Sequence, residues 1–243
     1  EKDEKKEEKD EEKEEKDEKE KTEEEEVTET TETPPTKDDS DEKLYDDNIV
    51  FVFNSKSRDA KPGKGVGETI TLEANKEFQE LNKINNWRKM LSNFYVSPFE
   101  LDGKKWNSVE HYFHSQKFIK NNPDFSNLFS LDSKSEICED PLLAKGAGGK
   151  TGKIRVSSKP ARYKVFRSKK IVMDDGFYDG VGEKAMEKAQ DAKYSQNKDL
   201  ENMLILTKNA KLVHSERKRG QKSNMVTFYD TMRIREKLKN KST

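Results

Sequence analysis

Glu110, His114 and Lys117 stand four and three residues apart, so a helix turning every 3.6 residues would place an acid, an imidazole and an amine on one face. A carboxylate in such a stripe can move a proton or stabilise positive charge developing on a reacting carbon. Trp106, Tyr112, Phe113 and Phe118 flank it and offer apolar walls, with Trp106 a candidate stacking plane for a flat ring. A competing reading comes from Asn107, which precedes Glu110 at the spacing of a helix capping pattern. In that role the carboxylate only satisfies backbone donors, and spacing alone favours it, because helix starts outnumber active sites. Lys117 also has two readings: a surface cation, or a group that holds phosphate or attacks a sugar carbon as an amine. His111 and His114 lie outside any cysteine or acidic ligand spacing. They are therefore expected to form hydrogen bonds, and neither a metal nor a cofactor is expected.

These side chains need a framework. Ile49 to Phe53 is a short β-branched and aromatic run, as in a buried strand. Leu72, Phe78, Leu81, Ile84 and Trp87 recur at roughly helical spacing and predict a helix packed on the core. Phe99 to Trp106 alternates around Asp102-Gly103, a hairpin signal that leads into a helix beginning near Ser108. Helical composition returns over residues 183 to 194, 198 to 208 and 228 to 239, with a brief strand at Lys211 to Val213. The expected fold is a single helix-rich α+β domain with a short sheet.

Ala144 to Lys153 is a glycine-rich stretch that reads as a loop, either a substrate rim with Lys150 the best phosphate ligand or a plain connection. It is one residue short of a nucleoside-triphosphate loop, Ala144 stands where the first glycine belongs, and neither a preceding strand nor a following helix is expected. Asp174 would be the magnesium partner in that rejected reading.

Charge divides the chain. Residues 1 to 26 hold 17 acidic and 8 basic residues with Thr22 the only uncharged one, so nothing there can be buried. Residues 1 to 47 hold 10 basic and 25 acidic residues, a net −15, which leaves 38 basic and 24 acidic, a net +14, for the remainder. The expected organisation is a disordered Glu/Lys-rich tail and linker over 1–47 followed by one domain over 48–243. A basic body suits a phosphate-bearing ligand, although lysine-rich solvated faces are common. One cysteine excludes an intrachain disulfide, and the absence of long apolar runs excludes a spanning helix within this sequence. An intracellular protein, cytoplasmic or nuclear, is expected.

The run from Leu91-Ser-Asn-Phe-Tyr through Phe99-Glu-Leu-Asp-Gly-Lys-Lys-Trp-Asn-Ser-Val-Glu-His-Tyr-Phe-His-Ser-Gln-Lys-Phe118 resembles the signature of the NADAR family of N-glycosidases. Fainter likeness continues through Ala192 to Leu200, Ala210 to Val213 and Met232 to Arg235, covering about residues 49 to 239. The resemblance implies a compact α+β protein that cleaves an N-glycosidic bond, with Glu110 and Lys117 the candidate catalytic residues. It also implies that Asn93 and Phe94 contact the sugar or base; by residue type, Trp106, His111, His114 and Lys150 are further candidate substrate-binding residues. The family's riboflavin-linked members carry a tryptophan-glycine element after Leu-Val, where this chain has Leu212-Val-His214 followed by Arg217 and Arg219. They also carry a tryptophan soon after the Lys159-Pro160 region, where Val165-Phe166 stands here. His214 and Arg219 would favour a ligand richer in phosphate.

The expected activity is hydrolysis of the bond between a nucleobase, for example guanine, and ADP-ribose or a related ribosyl phosphate. Two other readings stay open: a binding module for ADP-ribose or NAD without turnover, and a structural protein associated with nucleic acid through its basic body.

Overall fold

The computed structural model describes residues 44–157, 159–216 and 223–241. Among them lie seven strands and seven α-helices, the α+β architecture that the sequence predicts. The expected disordered tail lies almost wholly outside the described residues. The first described residues already belong to the fold: Leu44 and Tyr45 pack against the core, and strand β1 runs from Asp46 to Phe53. Phe51 and Phe53 are fully buried, as the apolar run predicts.

The helix predicted between Leu72 and Trp87 is instead a chain of short turns. Two 3-10 segments, Ala74–Phe78 and Leu81–Lys83, precede helix α1, Trp87–Leu91. The break has a local cause: Ile84 is extended, with φ −90° and ψ 109°, and Asn86 is left-handed, with φ 58°. Phe78, Leu81 and Trp87 reach the core and Ile84 packs at its edge, but Leu72 is exposed, so apolar spacing marks most of the buried positions without marking the helix. Arg88 of α1 is almost completely buried and grips Glu68 through two contacts of 2.7 Å while donating to the carbonyls of Ala60 and Lys61. This pair pins the polar, glycine-rich stretch before it.

Strands β2, Phe99–Leu101, and β3, Lys104–Trp106, form the predicted hairpin. Asp102 and Gly103 at its tip both have positive φ, 51° and 74°, as a tight twisted turn requires. Helix α2, Val109–Gln116, follows, then α3, Pro123–Asn127, and α4, Pro141–Gly148. Strands β4, Lys153–Ser157, and β5, Arg162–Val165, make a second hairpin. The long helix α5, Gly182–Gln196, and helix α6, Lys198–Leu206, lead to β6, Ala210–Glu216, then β7, Asn224–Thr227, and α7, Tyr229–Lys241.

β6 is the centre of a three-stranded sheet, parallel to β1 and antiparallel to β7. Two apolar cores result. One gathers β1, β6, α1, α6 and α7, and the other gathers the first hairpin with α2, α3 and α4. α5 serves both, giving Tyr194 to the first and Ala185, Met186, Ala189 and Ala192 to the second. Buried Arg235 of α7 ties the sheet together by donating to the carbonyls of Ala210 and Leu44.

Candidate active site

α2 begins at Ser108, as predicted, but the side-chain cap does not form. Asn107 instead donates to the carbonyls of Cys138 and Glu139, and the Ser108 hydroxyl pairs with Nδ1 of His111 at 2.8 Å. The backbone N–H of Glu110 is satisfied from outside, by the Asn93 carbonyl at 3.3 Å. The Glu110 side chain does not reach back to Asn107; it turns along the helix toward His114, with Oε2 3.2 Å from Nε2. Every residue from Val109 to Ser115 is buried, so this acid and imidazole lie in the interior.

The protonation states follow from the surroundings. Burial drives the His114 pKa down to about 4, and the charge of Lys117 pushes the same way, so the ring is neutral at pH 7. For Glu110, burial alone would raise the pKa, but the His114 hydrogen bond and the positive charges of Lys145 and Lys117 outweigh it and hold the carboxylate below its usual range. An ionised carboxylate only accepts hydrogen bonds, so Nε2 of His114 carries the proton and donates. Nδ1 is then a lone pair, buried and without a hydrogen-bond partner among the described residues. It lies against Gly148 of α4, where a Cβ would stand 2.4 Å away. Glycine is required there by close approach.

Lys117 continues the helix for one residue beyond its last turn and is also buried. Its ammonium donates to the Tyr178 hydroxyl at 3.2 Å and lies 4.9 Å from the Phe113 ring centre, 5.6 Å from that of Phe177 and 5.5 Å from that of Tyr178. Aromatic faces attract a cation, most strongly where water is excluded. The next turn is fixed by Asp174, whose carboxylate accepts from the backbone N–H groups of Lys120 and Asn121. That residue is thereby a structural clamp.

The loop after α1 closes another side. Asn93 is held from α5, donating to the sulfur of Met186 at 3.1 Å and accepting from Gln190 at 3.2 Å. Phe94 is half-buried, with the Lys145 ammonium 5.3 Å from its ring centre. The loop is itself latched by Lys193, a fully buried cation that donates to the carbonyls of Met90 and Ser92 at 2.7 and 2.8 Å. From the sheet comes His214 on β6, close enough that Glu110 and Lys145 both act on its protonation. Burial still leaves its pKa below the ordinary imidazole value.

Glu110, His114 and Lys117 are thus gathered with Asn93, Phe94 and His214. Trp106 is not among them. It is buried in the second core, edge-on to Tyr112, with its indole N–H spent on the Leu101 carbonyl, so it packs and does not present a stacking plane. His111 occupies a different side of α2, where it meets Ser108 rather than Glu110, and burial lowers its pKa to about 4. Lys150 is exposed on the turn after α4, and Arg219 falls outside the described residues.

Sequence reading counted Lys145 only among the lysines of a supposed phosphate loop and missed its place beside Glu110. The supposed loop from Ala144 is helical as far as Gly148, and Lys145 projects from that helix toward Glu110. The signal was present just upstream: Asp140-Pro141 places a capping acid before a first-turn proline, and the Asp140 carboxylate accepts from Leu142 N at 2.8 Å. Tyr178 was also missed, since it lies some 60 residues from its partner Lys117 with no shared motif. Among the described residues no group of His, Cys, Asp and Glu is placed to hold a metal ion, and no helix is long and apolar enough to cross a membrane.

The model of the NADAR domain matches residues 82–219, which takes in α2, α4 and the whole of α5. The chain belongs to the NADAR family. Among curated relatives it resembles the N-glycosidase YbiA of Escherichia coli strain K12, 35% identical over 130 residues that cover 51% of this chain and 62% of that protein. The YbiA of Shigella flexneri is 34% identical over the same extent. The match thus spans less than two thirds of these relatives. A solved NMR structure of Escherichia coli YbiA is similar over 80% of this chain and 88% of that one, with 21% identity and a TM-score of 0.44.

Proposed function

We propose that this NADAR protein is an N-glycosidase that hydrolyses the bond between a nucleobase and ADP-ribose or a related ribosyl phosphate, guanine being one such base. One observation carries the reading: the Glu110 carboxylate is buried yet held ionised by His114, Lys117 and Lys145. Loss of a base from ribose leaves positive charge shared between C1′ and the ring oxygen. A fixed anion in a site sheltered from water stabilises that charge far better than an exposed one would. The C1′–N bond electrons leave with the base, which takes up a proton. Water adds its oxygen to C1′, and Glu110 is the acceptor for the proton water gives up.

Membership of a family whose named relatives are N-glycosidases supports this reaction class. The phosphate-bearing part of the ligand is assigned to the cationic side of the site, with Lys145 beside Phe94 the foremost candidate and Lys117 deeper within. Asn93, fixed on both amide atoms, is assigned a positioning role at the sugar. The test is incubation of the full chain with guanosine carrying ADP-ribose on its base. Release of free ADP-ribose, lost in Glu110→Gln, is expected; no release, or undiminished release by Glu110→Gln, refutes the reading.

A further inference from the structure

We propose that the solvent face of the β4–β5 hairpin is a docking surface for the phosphate backbone of single-stranded nucleic acid. Residues 141–173 contain ten Lys and Arg and not one Asp or Glu, in a chain whose overall net charge is −1. So local an imbalance is specific to this segment and does not follow from composition.

The hairpin's register sorts these charges. Arg155 is paired with Tyr163 and Lys153 with Val165, so these four side chains share one face. The Lys153 ammonium, 4.1 Å from the Tyr163 ring centre, confirms the shared side. The opposite face, Ile154 with Phe166, packs on α4, where a Cβ on Gly146 would approach Ile154 Cβ to 3.1 Å. Lys164, on that inner side, is paired with Glu136. The outer face is the one turned away from α4; Arg155 and Tyr163 are half-buried on it, and Arg155 donates from Nε to the Ser157 carbonyl. Val165 is 65% exposed there, and Arg162 and Lys159 at the far end are exposed as well.

Cations arrayed around an aromatic ring on an open strand pair are suited to a single strand. Phosphates meet the Lys and Arg side chains and draw the Lys153 ammonium off the Tyr163 ring, on which an unpaired base then stacks. An acidic peptide would use the charges but gains little from the ring. The hairpin's inner face rests on α4, the helix that carries Lys145, and the outer face points away from that helix. Binding itself does not depend on the glycosidase reading.

The experiment measures anisotropy of a labelled oligothymidylate of about 12 nucleotides against the full chain at several salt concentrations. Expected is salt-sensitive binding that Lys153→Glu/Arg155→Glu/Arg162→Glu weakens at least about 100-fold, lowering the slope of log affinity against log salt by about 2 for three lost phosphate contacts. Tyr163→Ala, which keeps every charge, should weaken binding at least about fivefold with the slope unchanged. Lys76→Glu/Lys184→Glu, on other exposed surfaces, should match the unaltered chain. Absence of binding, an equal loss in that control, or no loss in Tyr163→Ala overturns the proposal. So does equal competition by polyglutamate of matched charge, which would indicate an acidic peptide instead. Glu110→Gln should bind the strand like the unaltered chain, and the triple variant should still release ADP-ribose from a free nucleoside adduct. Failure of turnover with binding intact would thus refute only the glycosidase.

Discussion

Nε2 of His114 lies 3.2 Å from Oε2 of Glu110, one helical turn away, and both side chains are shut inside the protein. An imidazole of lowered pKa beside a carboxylate of lowered pKa is a neutral donor serving an anion. Replacing the donor should therefore act on the acid. In His114→Ala the Glu110 pKa should rise, and turnover should fall by about 10- to 100-fold with its acidic limb moved to higher pH. A pH profile of ADP-ribose release checks this, and an unmoved limb would mean that the pair is only packing.

Lys117→Met should move the same limb in the same direction without disturbing the hydrogen bond. It removes a charge that favours the Glu110 anion while keeping a long apolar stem against Phe113 and Phe177. In the folded protein the Glu110 carboxylate is lowered, so it stays ionised as pH falls past the ordinary carboxylate range. Loss of the cation shortens that range from below. Carbon-13 titration of labelled glutamate follows the change independently of turnover.

Gly148→Ala tests whether α4 sets the position of His114. The new methyl would fall 2.4 Å from Nδ1, so the ring or the helix must shift. Overpacking of this kind costs about 1–3 kcal/mol. The expected signature is a larger loss of turnover than of melting temperature, measured by release assay and calorimetry on the same sample.

Lys193 makes a prediction about stability alone. Burial lowers its pKa from 10.5 to about 7. Above pH 7 the folded chain releases this proton while the unfolded chain keeps it up to about pH 10, so folding becomes more favourable as pH rises. Between pH 7 and 9 the unaltered protein should gain stability relative to Lys193→Met by about 1.4 kcal/mol per pH unit. Parallel denaturant titrations of the two chains over that range would refute it.

Short-range signals in the sequence located elements well where one local rule decides the outcome. The Asp102-Gly103 turn, the start at Ser108 and the run from Ile49 to Phe53 all have a local cause, and each lies where it was expected. The segment from Leu72 to Trp87 does not: spacing picks out Phe78, Leu81 and Trp87 as buried but fails at exposed Leu72, while Asn86 and Ile84 decide the backbone path. Glycine content concealed α4 in a similar way. Gly146 and Gly148 are there because Ile154 and His114 press against the helix, a reason that only tertiary contact supplies.

For the site, helical arithmetic brought Glu110, His114 and Lys117 together, and the structure places them so. Trp106 shows where composition misleads: a tryptophan beside a candidate acid has the same letter whether it faces a ligand or the core. Its N–H bond to Leu101 could be seen only once the hairpin was in place. Lys145 and Tyr178 reach the site from distant parts of the chain, and no local pattern links them to α2.

The parallel pairing of β1 with β6 sets an order in time. Val52 finds its partner Val213 only after some 160 intervening residues have been made. Phe51 of β1 meets Phe78 and Trp87 early, but the strand's hydrogen-bonding edge waits for β6 through most of the chain, whereas α2, α4 and the first turns of α5 are closer to one another in sequence. The half of the protein that carries Glu110 can thus begin to organise before the sheet exists, and the sheet's closure is the late event that brings His214 to it.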